Sequence, residues 1–263
     1  MAKTHYCHAR LGGGILKKNQ LGRTDIFVSA MGLGTVKWGR TTDVKYPQSY
    51  TLPSDQTLQS LLSLAYDLGV NLIDTAPAYG LSEERLGALL QGMRHQWIIS
   101  TKVGEEWVND TSYFDFSSHA IQKSIDRSLK RLKTDYLDIV LIHSDGRDVA
   151  LIDDEKVFEI LDQLKHSGKL RAYGMSTKTI PGGLRTIDVA DLAMVTFHPQ
   201  YLDERPIIAK AKENQKGIFV KKALNSGHLP ADVLTMALKE PGVTSVIVGT
   251  TNLKHLQENV DLV

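Results

Sequence analysis

Three apolar runs of the sequence end in polar side chains that could carry out acid–base chemistry. Asp74 ends the run 72–74, Lys102 the run 99–102 and His143 the run 140–143, and Tyr79 follows Asp74 by five residues. Taken singly, each side chain has a structural explanation as a helix cap, an ion pair, a core residue or packing. Taken together, they combine a charge pair, a phenol and an imidazole.

This combination suits reversible proton transfer to a carbonyl oxygen. A free tyrosine has a pKa of about 10 and is a poor acid at neutral pH, but a neighbouring ammonium group favours the phenolate and lowers that pKa. Lys102 could supply this charge, and Asp74 would keep Lys102 charged and oriented. We expect His143 to donate a hydrogen bond to the substrate oxygen as negative charge develops there.

Other chemistries find little support in the sequence. It contains no G-x-S-x-G motif, and its one cysteine, Cys7, lies in the N-terminal segment. We predict no metal site, because His143 and His198 have no Cys or carboxylate companions at ligand spacing. A proton donor without a metal or a nucleophile needs an electron source, which indicates a hydride-carrying cofactor.

Composition narrows the class of protein further. The 263 residues carry 31 Lys and Arg against 30 Asp and Glu, and 42% are hydrophobic. This balance is typical of a globular protein and argues against nucleic-acid or polybasic membrane partners. A single cysteine, no apolar signal segment and no apolar stretch of bilayer length lead us to expect a cytoplasmic protein.

Short apolar runs alternate with amphipathic stretches along the chain. The strand-like runs are 29–36, 70–76, 97–103, 137–143, 170–176, 192–198, 217–223 and 243–249. Several of them are almost continuously apolar, as in a parallel sheet that is covered on both faces. Between them, apolar residues three and four apart predict helices within 58–68, 82–91, 121–132, 157–164, 180–190, 204–215, 231–240 and 253–261.

Eight strand–helix units in 263 residues predict a (β/α)8 barrel, an α/β TIM barrel. A doubly wound open sheet is the alternative, but no GxGxxG motif follows the first strand. We predict a single barrel domain over residues 15–263, a short hairpin over 15–27 that closes the barrel bottom, and a poorly ordered tail over 1–14. The polar strand ends would then meet at one mouth.

Several dispersed motifs resemble the aldo-keto reductase family. They are residues 69–80 (GVNLIDTAPAYG), 82–87 (SEERLG), 100–104 (STKVG), 141–143 (LIH), 249–252 (GTTN) and 258–260 (ENV). They occur in the family's order, and the resemblance covers residues 21–263. It implies a (β/α)8 barrel that binds NADP(H), or less often NAD(H), and reduces aldehydes or ketones.

The resemblance also implies roles for individual residues. Tyr79 matches the proton donor, Lys102 and Asp74 the pair that tunes it, and His143 the residue that orients the carbonyl. The implied cofactor contacts are Gly34, Thr35, Ser176, Lys221, Lys222, Leu224, Ser226, Gly249, Thr250, Thr251, His255, Glu258 and Asn259.

The sequence departs from the family pattern around the cofactor. Thr177 and Met194 stand where the family often has Asn and Gln, and 220–223 (VKKA) replaces a stretch with a stacking Tyr. Strand alternation would turn only one of Lys221 and Lys222 inward. His255 takes the place of an Arg that holds the 2′-phosphate, so the expected preference for NADP(H) over NAD(H) is weakened.

The chain is short for this family, so we expect an open, shallow pocket. Trp38 and Trp107 are the favoured lining residues, Tyr50 and Tyr113 are further candidates, and the long segment 40–53 is expected to close over the site. The main hypothesis is a reductase of small aldehydes, ketones or sugars. The alternative is a cofactor-sensing regulatory protein with little turnover, and a cofactor-free barrel lyase or isomerase is disfavoured. The sequence does not indicate the oligomeric state.

Overall fold

The computed structural model describes residues 16–263. The tail predicted over 1–14 lies outside the described residues. The strands of the described part are β1 (Lys18–Gln20), β2 (Phe27–Ser29), β3 (Met31–Gly34), β4 (Leu72–Asp74), β5 (Ile98–Val103), β6 (Glu105–Val108), β7 (Thr111–Phe114), β8 (Leu137–His143), β9 (Leu170–Ser176), β10 (Leu192–Thr196), β11 (Gly217–Lys221) and β12 (Ser245–Val248).

Eight of these strands form a closed parallel barrel. Their order is β3-β4-β5-β8-β9-β10-β11-β12, and β12 pairs back onto β3. Each predicted apolar run contains one barrel strand, so the (β/α)8 barrel is confirmed and the open doubly wound sheet was the wrong alternative. That residues 15–263 make up a single domain stays a prediction.

Helices occupy the outer layer of the barrel. They are α1 (Val36–Gly39), α2 (Asp55–Asp67), α3 (Ser82–Leu89), α4 (Ser118–Leu132), α5 (Asp148–Asp153), α6 (Val157–His166), α7 (Ile180–Val189), α8 (Arg205–Glu213), α9 (Leu234–Lys239) and α10 (Leu253–Val260). All eight helical stretches predicted from apolar spacing are confirmed. Across the described part of the chain, every helix is too short or too polar to span a lipid bilayer.

Local capping explains where several helices begin. The side chains of Ser54, Ser117 and Thr179 accept hydrogen bonds from backbone N–H groups in the first turns of α2, α4 and α7. Such caps satisfy donors that have no partner within the helix. Pro181 lies in the first turn of α7, where the missing N–H costs nothing, so this helix forms despite its Pro-Gly-Gly start.

An N-terminal hairpin closes the bottom of the barrel, as predicted. Strands β1 and β2 pair antiparallel, and Gly22 adopts a φ of +57° in the turn between them. The apolar hairpin residues with fully buried side chains are Leu21, Ile26 and Val28. They pack against the residues that fill the barrel interior, Leu72, Ile139, Leu141, Ala172, Leu192, Met194 and Phe219. The bottom is thus sealed by apolar packing.

A second hairpin, β6–β7, is a feature that the sequence analysis missed. It follows β5 directly and projects at the barrel mouth. Its tight turn contains Asn109 and Asp110 with φ values of +49° and +58°, a conformation that these two residue types tolerate better than most. Helices α1 and α5 were not predicted either, because a pattern of four to six residues is too short to show helical periodicity.

We expect Leu21→Ala to destabilise the fold by about 2–5 kcal/mol, since it leaves a cavity in the sealed bottom. The measurement is chemical denaturation followed by circular dichroism. Leu202→Ala is the matched control, because Leu202 is 40% exposed. Equal loss of stability in the two variants would contradict the role assigned to the hairpin.

Candidate active site

A buried ion pair between neighbouring strands lies at the centre of the barrel mouth. Lys102 Nζ, at the end of β5, lies 2.8 and 2.7 Å from the two carboxylate oxygens of Asp74, at the end of β4, and 2.9 Å from the carbonyl oxygen of Thr75. Ser100 Oγ donates a further hydrogen bond to Asp74 Oδ1 at 3.1 Å. Burial lowers the pKa of Lys102, and the adjacent Asp74 opposes this effect.

Tyr79 lies beside this pair on a short 3-10 turn, Pro77–Tyr79, that follows β4. Lys102 Nζ lies 4.7 Å from the centroid of the Tyr79 ring. The rings of Tyr79 and His143 meet edge to face at 6.2 Å between centroids. The four side chains singled out in the sequence are therefore brought together at the carboxyl ends of β4, β5 and β8.

The electrostatic prediction for Tyr79 was wrong. Burial raises its pKa well above the ordinary value of 10, and the charges of Asp74 and Glu105 raise it further. Lys102 does not reverse this effect, because both carboxylate oxygens of Asp74 surround its ammonium group. Tyr79 therefore keeps its proton at neutral pH.

Glu105, the first residue of β6, is a site residue that the sequence analysis did not identify. Its Oε2 lies 2.7 Å from Nδ1 of His143, and its Oε1 accepts a hydrogen bond of 2.6 Å from Ser112 Oγ on the facing strand β7. A glutamate two residues after a strand end carries no recognisable signal, because only the hairpin directs it back to His143. Within residues 16–263, no three His, Cys, Asp or Glu side chains converge as a metal site would require.

Arg40 connects the first loop to the turn that carries Tyr79. Its guanidinium donates hydrogen bonds to the carbonyl oxygens of Ala78, at 3.1 Å, and Thr42, at 3.0 Å. It also lies 3.3 Å from the ring centroid of Trp107 on β6, and Tyr50 Oη bonds the Arg40 carbonyl at 2.6 Å. One buried cation thus holds together the first loop, the Tyr79 turn and the β6–β7 hairpin.

The loop predicted over 40–53 reaches the far side of the mouth. His228 Nε2 lies 3.2 Å from the carbonyl oxygen of Lys45. Tyr46 Oη lies 3.1 Å from the position that a Cβ atom on Gly249 would take. The loop therefore contacts two of the segments expected to bind cofactor, after β11 and after β12.

Lys221 is the inward-facing member of the lysine pair. Its ammonium group donates hydrogen bonds to Ser176 Oγ at 2.8 Å and to the Thr177 carbonyl at 2.7 Å. Burial lowers the pKa of Lys221 to about 7. Lys222 is exposed, so strand alternation separates the pair as predicted.

The turn after β11 has an unusual backbone. Lys222, Asn225 and Ser226 have φ values of +56°, +44° and +58°, and Gly227 has +90°. Non-glycine residues in this conformation are uncommon and collect at functional sites. The partly buried Leu224 and Ser226, two expected cofactor contacts, lie in this turn.

The expected contacts after β12 surround the start of α10. Asn252 caps this helix by accepting hydrogen bonds from the backbone N–H groups of Lys254 and His255. Among the expected contacts, Gly249 and Thr251 are partly buried, Thr250 and Asn259 are buried, and His255 and Glu258 are exposed.

Gly34, the last residue of β3, is accessible at the mouth of the barrel, whereas the next residue, Thr35, is not. Gly34 is partly exposed, whereas Thr35 is fully buried. The hydroxyl of Thr35 donates to the Asp74 carbonyl at 2.9 Å and accepts from Ser82 Oγ at 2.7 Å. The Thr35 hydroxyl is thus fully used within the protein, and that Thr35 lies beside the cofactor stays a prediction.

The structure contradicts the prediction that Trp38 lines the substrate pocket. Trp38 is 0% exposed and belongs to the hydrophobic core, so it does not line an open pocket. The reason is that α1 follows β3 directly and turns this ring inward. Trp107 is partly exposed and Tyr113 is 55% exposed, both on the β6–β7 hairpin. Met194 is buried in the barrel interior.

We expect the buried Lys221 to make stability depend on pH. Between pH 7 and about 10.4 the unfolded chain holds the Lys221 proton and the folded chain does not, so the free energy of unfolding rises with pH, by at most about 1.4 kcal/mol per unit. Below pH 7 the full cost of burying the charge is present. Lys221→Met should remove this slope in denaturation curves recorded from pH 6 to 10.

Lys222→Met is the matched control for this measurement. Burial also lowers the pKa of Lys222, but this side chain is exposed, so its removal should reduce the slope by less than removal of Lys221 does. An unchanged slope in Lys221→Met would contradict the burial of this charge.

Comparison with known proteins identifies the family of this chain. The model of the Aldo/keto reductase family matches residues 30–239. A crystal structure of a candidate aldo-keto reductase from Pseudomonas aeruginosa is 49% identical, with a TM-score of 0.86 over 93% of this chain and 94% of that one. L-galactose dehydrogenase of Arabidopsis thaliana is 33% identical over 91% of this chain and 86% of its own length. An NADH-specific methylglyoxal reductase of Escherichia coli is 29% identical over 83% and 70%. The barrel, its ordered motifs and these matches together show that the chain belongs to the aldo-keto reductase family of oxidoreductases.

Proposed function

We propose that this protein transfers hydride between a nicotinamide cofactor, NADP(H) in preference to NAD(H), and the carbonyl carbon of small aldehydes, ketones or sugars. Tyr79 is the proton donor to the carbonyl oxygen, and the reaction is reversible. The observation that carries the proposal is the meeting of Tyr79, His143 and the Lys102–Asp74 pair at one barrel mouth.

The environment of Tyr79 supports its role as an acid. Burial raises the pKa of Tyr79, so the phenol holds its proton at neutral pH and gives it up only as the substrate oxygen gains negative charge and becomes the stronger base. Lys102 Nζ lies 4.7 Å from the centroid of the phenol ring, so its positive charge offsets part of the cost of the phenolate that remains. Asp74 keeps that charge in place through two hydrogen bonds.

The residues around the mouth fit a nicotinamide dinucleotide. When bound, the nicotinamide ring supplies or accepts the hydride. Gly34 would leave room for the nearby ribose. A Cβ atom at this position would lie 3.2 Å from the Ile247 side chain and would narrow the mouth. Lys221 and Lys222 supply positive charge for the phosphates, and the start of α10 lies next to Gly249 and Thr250.

A preference for NADP(H) depends on the segment 250–259. His255 is exposed at the start of α10, where its ring can reach a phosphate on the cofactor surface. A neutral imidazole lacks the charge and the paired donors of an arginine, so His255 would bind the 2′-phosphate more weakly than the arginine of the family pattern does.

The second candidate is a cofactor-binding protein with little turnover. The hydrogen bond from Lys221 to Ser176 Oγ favours it, because this hydroxyl is the one expected to hold the nicotinamide carboxamide. The two functions differ in whether nicotinamide absorbance changes when carbonyl compounds are added.

Tyr79→Phe tests the proposed acid. We expect the variant to bind cofactor with unchanged affinity and to lose at least about 100-fold in kcat for carbonyl reduction, because it has no proton to give. The assay follows nicotinamide absorbance with both cofactors against a panel of aldehydes, ketones and sugars. Tyr66→Phe, on the outer helix α2 and 48% exposed, is the control that should keep its activity. Full activity of Tyr79→Phe would refute the assignment, and absence of turnover in the unaltered protein would favour the second candidate.

His255→Arg tests the location of the 2′-phosphate. An arginine there should tighten NADPH about tenfold relative to NADH, because it adds a fixed charge with paired donors. Dissociation constants from cofactor fluorescence give the ratio. Gln257→Arg, two residues along α10, adds the same charge at a different position and should leave the ratio nearly unchanged. The same ratio in His255→Arg as in the unaltered protein would show that the phosphate binds elsewhere.

A further inference from the structure

The turn that carries Tyr79 is hydrogen-bonded to the end of α1 and the start of the first loop on both sides of the tyrosine. Before the tyrosine, Arg40 Nη1 donates to the carbonyl oxygen of Ala78 at 3.1 Å. After it, the backbone N–H of Leu81 donates to the carbonyl oxygen of Gly39 at 3.3 Å. Residues 39 and 40 therefore hold the backbone that precedes and follows the tyrosine.

Two facing glycines allow these backbones to approach each other. A Cβ atom on Gly39 would lie 2.3 Å from the carbonyl oxygen of Tyr79, and a Cβ atom on Gly80 would lie 2.2 Å from the carbonyl oxygen of Gly39. Gly80 also has a φ of +61°, a conformation that glycine adopts without strain. Because the contact is between backbones, a displacement of residues 39–40 would be passed directly to the Tyr79 turn.

The Arg40 side chain is itself fixed in place and is only 8% exposed. Its Nε donates to the carbonyl oxygen of Thr42 at 3.0 Å, and its Nη2 donates to the carbonyl oxygen and to Oδ2 of Asp43 at 3.0 and 2.8 Å. The guanidinium carbon lies 3.3 Å from the ring centroid of Trp107. All three guanidinium nitrogens thus have acceptors, and a planar group with fixed donor directions can form these bonds in one orientation only.

The Tyr79 turn needs such support from outside. A short stretch of 3-10 helix is held by few hydrogen bonds of its own. The bond from the Tyr79 N–H to the carbonyl oxygen of Ala76, at 3.0 Å, closes the turn but does not determine how the turn is oriented over the mouth. That orientation matters for chemistry, because misplacing a reacting group by about 1 Å can cost about 100-fold in rate.

We propose that Arg40 is a positioning residue for Tyr79, and that its guanidinium fixes the Pro77–Tyr79 turn so that the phenol faces Lys102 and His143. This inference rests on the proposed function, in which Tyr79 is the proton donor. Arg40 acts through the direction of its hydrogen bonds to the backbone.

The charge of Arg40 and the direction of its hydrogen bonds can be separated by substitution. Burial and the charge of Asp74 raise the pKa of Tyr79, and the positive charge of Arg40 opposes them. Arg40→Lys keeps a positive charge, but a single ammonium group lacks the fork of donors that binds several carbonyl oxygens in a fixed geometry. A role in positioning therefore predicts that lysine does not replace Arg40.

The first experiment reads the position of the Tyr79 ring and needs no turnover. Carbon-13 spectra of protein labelled in its nine tyrosines, assigned with Tyr79→Phe, give the ring signal of this residue. The signal senses the His143 ring, which meets Tyr79 edge to face. Arg40→Ala and Arg40→Lys should shift or broaden it, because the turn loses its fixed orientation. An unchanged Tyr79 signal in both variants would overturn the proposal.

Arg85→Ala is the matched control. The Arg85 side chain also supports the first loop, but it binds the carbonyl oxygens of Trp38 and Pro53, at 2.6 and 2.5 Å, and the carboxylate of Asp55. The Tyr79 signal should keep its position in this variant, even where the melting temperature falls. If Arg40→Ala does not fold, Arg40→Lys, which retains an apolar stem and a charge, carries the test.

The second experiment distinguishes positioning from a general structural role. Arg40→Ala and Arg40→Lys should both lose about 10- to 100-fold in kcat for carbonyl reduction, a larger factor than any change in KM or in the cofactor dissociation constant. Added guanidinium ion should restore part of the kcat of Arg40→Ala, because it supplies the same planar donors, whereas methylammonium ion should not. Neither ion should raise the kcat of Arg85→Ala.

Three results of this experiment would contradict the positioning role. Full kcat in Arg40→Lys, or equal restoration of Arg40→Ala by both ions, would show that charge is sufficient. A raised KM with unchanged kcat in Arg40→Ala would assign Arg40 to substrate binding instead.

The two experiments separate failure of this inference from failure of the proposed function. If the unaltered protein binds neither cofactor or reduces no carbonyl compound, the proposed function fails, while the tyrosine spectrum still decides whether Arg40 positions the Tyr79 ring. If carbonyl compounds are reduced but the Tyr79 signal is the same in the unaltered protein and in both Arg40 variants, the function stands and this inference fails.

Discussion

The mouth of the barrel depends on the buried ion pair between Lys102 and Asp74. An ammonium and a carboxylate removed from water are expensive to bury, and this cost is offset only when the pair is close and its remaining hydrogen-bonding groups are satisfied. Here the Thr75 carbonyl and the Ser100 hydroxyl complete the pair. Adjacent parallel strands, β4 and β5, supply both charges, so the barrel register itself sets the distance between them. Tyr79 can then face a fixed charge rather than a mobile one.

Burial decides the protonation states in this site more than any single neighbouring charge. It keeps Tyr79 protonated, keeps His143 neutral and brings the pKa of Lys221 to about 7. We expected Lys102 to lower the pKa of Tyr79 because of its positive charge. Burial of the phenol away from water has a larger effect in the opposite direction. A site that holds neutral acids and a partly neutral lysine is suited to chemistry in which charge appears only during reaction.

The two ends of the barrel have separate tasks. The bottom is closed by the apolar β1–β2 hairpin, which contributes packing and no reactive group. The mouth is formed by loops and by the β6–β7 hairpin, which places Glu105 against His143 and Trp107 against Arg40. This division separates the apolar packing that stabilises the bottom from the residues that we propose for catalysis at the mouth.

Much of this protein is determined by sequence alone. The eight barrel strands, eight of the ten α-helices of the described part and the grouping of Asp74, Tyr79, Lys102 and His143 were predicted, because apolar periodicity and strand-end polar residues are local signals. The tertiary structure decided what depends on distant contacts. It directed Glu105 to His143 through a hairpin turn, and it buried Trp38 in the core. The pKa shifts of Tyr79, His143 and Lys221 were also decided there, because the water removed from a side chain depends on the whole fold around it.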